Sequence, residues 1–313
     1  MFMSILTIIL LLVGFVFLIK GADLFVEGAS DLATKLKIPA MIIGLTIVAF
    51  GTSAPEAAVS VSSALSGSNA IAISNVVGSN IFNMLAVIGI TAIMYKIDIT
   101  KESLKQDFPV LLGSSLLLLL FIFTGSQISR IEGIILLVLI MLYIAFLIFK
   151  SKKESANMPV GTTHLTPARI GIYIIIGIIG IILGGNLVVD SAKEIALSIG
   201  MSETLVGLTI VSIGTSLPEL ITSVTAAYNK KTDIAIGNAI GSNIFNILFI
   251  LGLTNTISPI VTTSVMFYDT LLMIVFAIIT FILAYDKQDF NKKDGLILVG
   301  MFIVYMVYII LRN

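Results

Sequence analysis

A short polar stretch buried in apolar sequence occurs twice in this chain and restricts what the chain can become. Gly51-Thr52-Ser53-Ala54-Pro55-Glu56 lies within an apolar segment spanning residues 40–64, and Gly214-Thr215-Ser216-Leu217-Pro218-Glu219 lies within another spanning 204–227. Only 12% of the residues are charged and 58% are hydrophobic, whereas a soluble domain carries roughly 25% charged residues. With a mean hydropathy of +1.12, the chain reads as an integral membrane protein. A carboxylate at mid-bilayer costs ~2.5–3.5 kcal/mol or more, so it is rare there and marks a functional position. Two at matching places demand a fold that hides a polar centre from lipid. Lys+Arg 18 balances Asp+Glu 18, which gives no reason to expect a nucleic-acid partner. The absence of cysteine excludes disulfides and thiolate metal sites.

About 20 apolar helical residues cross a bilayer core. By that measure ten spans are expected: 3–22, 40–64, 70–94, 107–124, 131–149, 168–188, 204–227, 233–256, 264–284 and 295–311. The first segment has no basic leader and continues apolar to Ile19, so it reads as a spanning helix rather than a signal peptide. The longest polar connection, 151–167, separates five spans in residues 1–150 from five in 168–313 and holds the sole histidine, His164, expected to be solvated. Alternating spans place fifteen of the 18 basic residues on one side, leaving Arg130, Lys193 and Arg312 on the other. The positive-inside rule then puts the linker in the cytoplasm and both termini outside, as for a multi-pass protein of the cell membrane.

The halves repeat one another. Adding 163 to each number carries Gly44-Leu-Thr-Ile-Val onto Gly207-Leu-Thr-Ile-Val, Pro55-Glu56 onto Pro218-Glu219, and Gly78-Ser-Asn-Ile-Phe-Asn83 onto Gly241-Ser-Asn-Ile-Phe-Asn246. Each half holds an odd number of spans, so the second copy enters from the opposite face. The fold class expected is therefore an all-α integral membrane protein. Its ten transmembrane helices form two inverted five-helix repeats, with broken helices 2 and 7 at the core, an architecture of secondary transporters.

Proline supplies the break. Pro55 cannot donate to the carbonyl of Gly51, nor Pro218 to that of Gly214. Carbonyls freed in hydrocarbon must line a cavity or meet a partner, and a bare cation is such a partner. The carboxylates of Glu56 and Glu219, the hydroxyls of Ser53 and Ser216, and carbonyls near Ala49, Thr52, Ser212 and Thr215 form an all-oxygen set suited to Ca2+ or Na+. Ser79 and Asn83 share a helix face, as do Ser242 and Asn246. Asn75 and Asn238, a turn earlier, are placed to hydrogen-bond the broken helices.

The duplicated Gly-Thr-Ser-x-Pro-Glu and Gly-Ser-Asn-Ile-Phe-Asn motifs resemble the paired repeats of the Na+/Ca2+ exchanger family of calcium/cation antiporters, and the resemblance covers the whole chain. It implies a secondary antiporter exchanging Na+ for Ca2+ at one central site by alternating access. No cofactor is implied beyond the transported ions, nor any obligate protein partner, and a monomer suffices. Carried over by position, Glu56 and Glu219 would be the main Ca2+ ligands, joined by the Thr52 and Thr215 carbonyls. Ser53, Ser79, Ser216 and Ser242, with the Ala49 and Ser212 carbonyls, would form flanking Na+ positions. Spans one and six, with Gly14, Gly21, Gly177, Gly180 and Gly184, would be the pair that slides. Some members, including potassium-dependent ones, carry aspartate where this chain has Asn246, so the middle positions Asn83 and Asn246 are both amides here. The linker has no room for a regulatory Ca2+-binding domain. The rival reading is a Ca2+/H+ antiporter using the same glutamates, although proton-coupled relatives show Gly-Asn-Ala-x-Glu in place of Gly-Thr-Ser-x-Pro-Glu. A cation channel fits an inverted repeat less well, and no nucleophile–base set suggests an enzyme.

Overall fold

The structure is a computed structural model describing residues 5–66, 69–155, 163–200 and 212–312. Its helices are α1 (Ile5–Leu36), α2 (Ala40–Thr52), α3 (Ala54–Leu65), α4 (Ile71–Met94), α5 (Ser103–Thr124), α6 (Arg130–Lys152) and α7 (Pro167–Ser198). They are followed by α8 (Ser212–Thr215), α9 (Leu217–Tyr228), α10 (Thr232–Ile257), α11 (Ser264–Tyr285) and α12 (Lys292–Arg312). Among the described residues eight helices are long and apolar enough to cross a membrane, and α2 with α3, bent by 50° at Ser53, makes a ninth. The start of the expected span 204–227 and residues 156–162 of the expected linker 151–167 lie outside the described residues. His164, within that linker, is exposed.

The first and sixth spans are longer than the sequence suggested. Lys20, Asp23 and Glu27 mark a polar boundary, yet α1 runs on to Leu36, and α7 continues past 188 to Ser198. Nothing within these stretches breaks a helix. α1 ends only where Lys37 turns into the left-handed region at φ 53, Ile38 donates back to the Ala33 carbonyl at 2.9 Å, and Pro39 follows. At the position 163 residues on, Gly200 follows α7 with φ 92. Thirty-two residues make a helix about 48 Å long, well beyond the roughly 30 Å hydrocarbon core.

α1 and α7 lie antiparallel in direct backbone contact. A Cβ built on Gly184 would sit 2.5 Å from the Leu18 nitrogen and 2.7 Å from the Gly14 carbonyl, and one on Gly21 would sit 2.7 Å from the Ile181 nitrogen. Small residues permit such approach where lipid gives no hydrophobic reason for helices to associate. Both ends of the pair are clasped. Thr7 donates to Glu194 at 2.8 Å, and the Leu165 backbone N–H donates to the buried carboxylate of Asp31 at 2.7 Å. A small apolar core containing Leu18, Phe25, Val26, Ile181 and Val188 lines this pair, separate from the main core around α4, α5, α10 and α11.

α4 and α10 form the centre. Their apolar windows are 83% and 94% buried, against 22–44% for the other spans, so these two face protein on nearly every side. Each contains one π-helical turn that begins at an asparagine, Asn83–Val87 in α4 and Asn246–Leu251 in α10. Such single-turn distortions frequently occur at functional sites.

Four two-residue strands tie the loops together. β1 (Ile97–Asp98) pairs antiparallel with β4 (Asp289–Phe290), and β2 (Gln127–Ile128) pairs with β3 (Ile260–Val261). Lys96 bridges the first pair, its ammonium 3.0 Å from both Asp98 and Asp289, and those hydrogen bonds raise it above the ordinary lysine range.

Candidate functional site

The two polar stretches converge between α4 and α10. Ser53 occupies the joint between α2 and α3, and Ser216 the joint between α8 and α9, so each motif ends one helix and begins another. Pro55 and Pro218 sit in the first turn of the second helix, where a missing N–H removes no helical bond. Glu56 and Glu219 follow in those same first turns, both fully buried.

Each carboxylate is held from the opposite half of the chain. Ser216 donates to Glu56 Oε1 at 2.9 Å, and Ser53 donates to Glu219 Oε1 at 2.8 Å. Ser79 and Ser242 reach the same two oxygens at 3.5 Å from α4 and α10. The supporting layer repeats the symmetry. Asn75 donates to Ser60 Oγ at 3.2 Å and to the Glu56 carbonyl at 3.4 Å, while Asn238 donates to Ser223 Oγ at 3.0 Å and to the Glu219 carbonyl at 3.2 Å. Thr52 donates to Asn238 Oδ1 at 2.9 Å, and Thr215 to Asn75 Oδ1 at 3.4 Å. Buried polar groups satisfied this completely rigidify a core.

Four oxygens break the pattern. Glu56 Oε2, Glu219 Oε2, Asn83 Oδ1 and Asn246 Oδ1 are buried with no hydrogen-bond partner. All four are acceptors, two from carboxylates and two from amides. An unpaired buried acceptor costs about 1–3 kcal/mol, and more if charged, so four related in pairs by the repeat do not arise from careless packing. No ion pair among the described residues involves either glutamate. A hard cation suits the set, because Ca2+ takes six to eight oxygens including carboxylates and amide carbonyls.

Of the residues singled out from the sequence, Ser79, Thr215 and Ser216 gather around Glu56, and Thr52, Ser53 and Ser242 around Glu219. Asn83 and Asn246 are buried between α4 and α10, and the Ala49 carbonyl accepts from Thr52 at 3.3 Å. Ser212 begins α8, and its side chain lies outside the described residues. Asp269, at a span edge, is paired with Arg312, while Glu27 and Asp190 are exposed. Asp23 accepts from Asn229 at 3.1 Å. None of these four belongs to the network. Sequence reasoning alone missed Asn80 and Asn243, whose amides knit α4 to α10. Asn83 donates to Asn243 Oδ1 and Asn246 to Asn80 Oδ1, each at 3.0 Å. The signal was present, since both lie inside the repeated Gly-Ser-Asn-Ile-Phe-Asn motif.

Comparison with known proteins shows the family. The family described as sodium/calcium exchanger protein matches residues 6–150 and 170–311. The chain is 39% identical over 308 residues to the putative antiporter CaxA of Alkalimonas amylolytica, covering 95% of this chain and 96% of that protein. It is 30% identical over 341 residues to the sodium/calcium exchanger MaX1 of Methanosarcina acetivorans, covering 96% and 97%. A solved structure of the sodium-calcium exchanger NCX_Mj, soaked with Na+ and Ca2+, superposes with a TM-score of 0.85 at 29% identity, over 97% of this chain and 99% of that one. With antiporters among its relatives and a buried oxygen centre shared between its halves, this multi-pass, all-helical membrane protein belongs to the sodium/calcium exchanger family.

Proposed function

We propose that the protein is a secondary antiporter that exchanges Na+ for Ca2+ across the cell membrane through the site between α4 and α10. The observation that carries this reading is the set of four buried, unpartnered oxygens, two of them carboxylate, formed jointly by the two halves. Two negative charges neutralise one Ca2+ and leave little residual charge to desolvate. The serines that hold the glutamates, with carbonyls of Ala49, Thr52, Ser212 and Thr215, offer flanking oxygens for Na+. The names of MaX1 and NCX_Mj as sodium/calcium exchangers support the same cargo, and both copies keep the Gly-Thr-Ser-x-Pro-Glu form.

Parity supports the ten-span inverted arrangement. Hydrogen-bonded strands lie at one face, so the chain crosses an even number of times between β2 and β3. α6, α7 and α10 supply three crossings, so an even count favours a fourth between α7 and α10, in keeping with the span expected at 204–227. The same count holds between β1 and β4, with α5 and α11 added. Five spans then precede the 151–167 linker and five follow it, inverted, with the linker cytoplasmic and both termini outside. In this reading the clasped α1–α7 pair slides as a unit over the central helices to switch access. The protein works as a monomer.

The oxygen set is too small to hold full loads of both ions, so binding is competitive. Calorimetric titration of Ca2+ into purified protein tests this. Raising Na+ is expected to weaken apparent Ca2+ affinity with a logarithmic slope above one, and K+ to leave it unchanged because residue 246 is an amide. Ca2+ affinity indifferent to Na+ would overturn the reading.

A further inference from the structure

We propose that Asn80 and Asn243 are positioning residues that lock the amides of Asn246 and Asn83 with their carbonyl oxygens turned into the cation site. The inference rests on the reading of that site as a cation centre. An asparagine amide has two ends of similar size and opposite polarity, and only the oxygen can ligate a cation. An amide free to turn would present its N–H groups to the ion half the time.

The orientation is set by an atom that cannot turn. The backbone carbonyl of Asn243 can only accept, and Asn80 Nδ2 donates to it at 3.3 Å. That commits Asn80 Oδ1 to the other side, where it accepts from Asn246 Nδ2 at 3.0 Å. Asn246 therefore directs its N–H groups towards Asn80, and its Oδ1 remains buried without a protein partner. The second copy runs in reverse. The Asn80 carbonyl accepts from Asn243 Nδ2 at 3.4 Å, Asn243 Oδ1 accepts from Asn83 Nδ2 at 3.0 Å, and Asn83 Oδ1 is left open.

Neither relay tolerates one reversed member. Turning Asn83 sets its oxygen against Asn243 Oδ1, and turning Asn243 sets its oxygen against the Asn80 carbonyl. Each pairs two acceptors in a fully buried place, at the cost of an unmade hydrogen bond. The relays also cross. The ligand on α4 is oriented by the asparagine on α10, and the ligand on α10 by the asparagine on α4. Neither half of the chain can therefore preset its own amide ligand, and the site is complete only when α4 and α10 are in register.

A helix-pinning role alone would also make these asparagines important, so the test must separate orientation from packing. Aspartate at position 83 has oxygen at both ends and needs no orienting, and it sets one of them against Asn243 Oδ1, a repulsion that Asn243→Ala removes. Ca2+ is titrated calorimetrically into purified full-length protein in Na+-free buffer for four forms: unmodified, Asn243→Ala, Asn83→Asp, and the double variant. Asn243→Ala alone is expected to weaken Ca2+ binding about 10-fold or more, the loss of one charge-assisted oxygen contact. In the Asn83→Asp background the same change is expected to cause no loss. An equal loss in both backgrounds overturns the proposal and leaves Asn243 a helix pin. If Asn243→Ala does not fold, Asn80→Ala with and without Asn246→Asp carries the same cycle through the other relay. Failure of the unmodified protein to bind Ca2+ would instead refute the reading of the site itself, so the two failures are distinct.

Discussion

Replacing Glu56 with glutamine is expected to abolish Ca2+ exchange, and Glu219→Gln to do the same, while both variants still fold. Glutamine keeps the shape and can still accept the serine hydroxyl that each glutamate receives from the other half. It places an amide nitrogen at the position of Oε2, the oxygen left open in both residues. The divalent ion then meets one carboxylate instead of two and remains a net positive charge in a buried site. Breaking a buried charge pair by removing one partner costs about 3–5 kcal/mol, on the order of 10²–10⁴-fold in affinity. Folding should not suffer, because among the described residues no ion pair holds either carboxylate, and losing one charge relieves repulsion. Thermal unfolding without ions should show a midpoint equal to or above that of the unmodified protein. Robust Ca2+/Ca2+ exchange by either purified variant would rule out the two glutamates as joint ligands of the divalent ion.

The second large effect is expected from Gly241→Val, one residue before Ser242. A Cβ at Gly241 would lie 2.7 Å from both the Cα and the carbonyl oxygen of Leu45, and 2.9 Å from Ala49 Cβ. Two of these neighbours are backbone, so relief requires α10 to move away from α2. Overpacking of this kind costs typically about 1–3 kcal/mol in stability. The loss of exchange should be larger than the loss of fold, because Ser242 and Asn238 move with α10 while Thr52 stays on α2. Ca2+ ligands sit at roughly 2.3–2.6 Å, and a displacement of about 1 Å takes a ligand out of that shell. Gly113→Ala on α5, where no atom lies within 4 Å of the built Cβ, is the matched control and should leave exchange and melting temperature nearly unchanged. Equal behaviour of the two variants would mean that α2–α10 contact does not set the site geometry.

Much of the arrangement was legible in the sequence because duplication is a strong constraint. The offset of 163 that aligns the motifs also relates Ser53→Glu219 to Ser216→Glu56, and Asn75→Ser60 to Asn238→Ser223. What failed to show was whatever depends on contacts rather than on pattern. The charged residues at 20–27 looked like a membrane boundary, and hydropathy reports where lipid ends, not where a helix ends. α1 continues because no proline or glycine turn stops it before Lys37. The strands β1 to β4 are two residues each and too short to have a period. Asn80 and Asn243 stood in plain view in the repeated motif, yet their work depends on α4 lying against α10, which no single helix reveals.

If Ca2+ moves through this site in exchange for Na+, the two ion gradients must be coupled. Initial-rate Ca2+ uptake into proteoliposomes reads that coupling, with an outward Na+ gradient at equal pH compared with an outward proton gradient in Na+-free medium. Uptake is expected to follow the Na+ gradient, to be unaffected by K+, and to be negligible with the proton gradient alone. Uptake driven by protons and indifferent to Na+ would refute Na+/Ca2+ exchange at this site, as would downhill Ca2+ flux that needs no counter-ion.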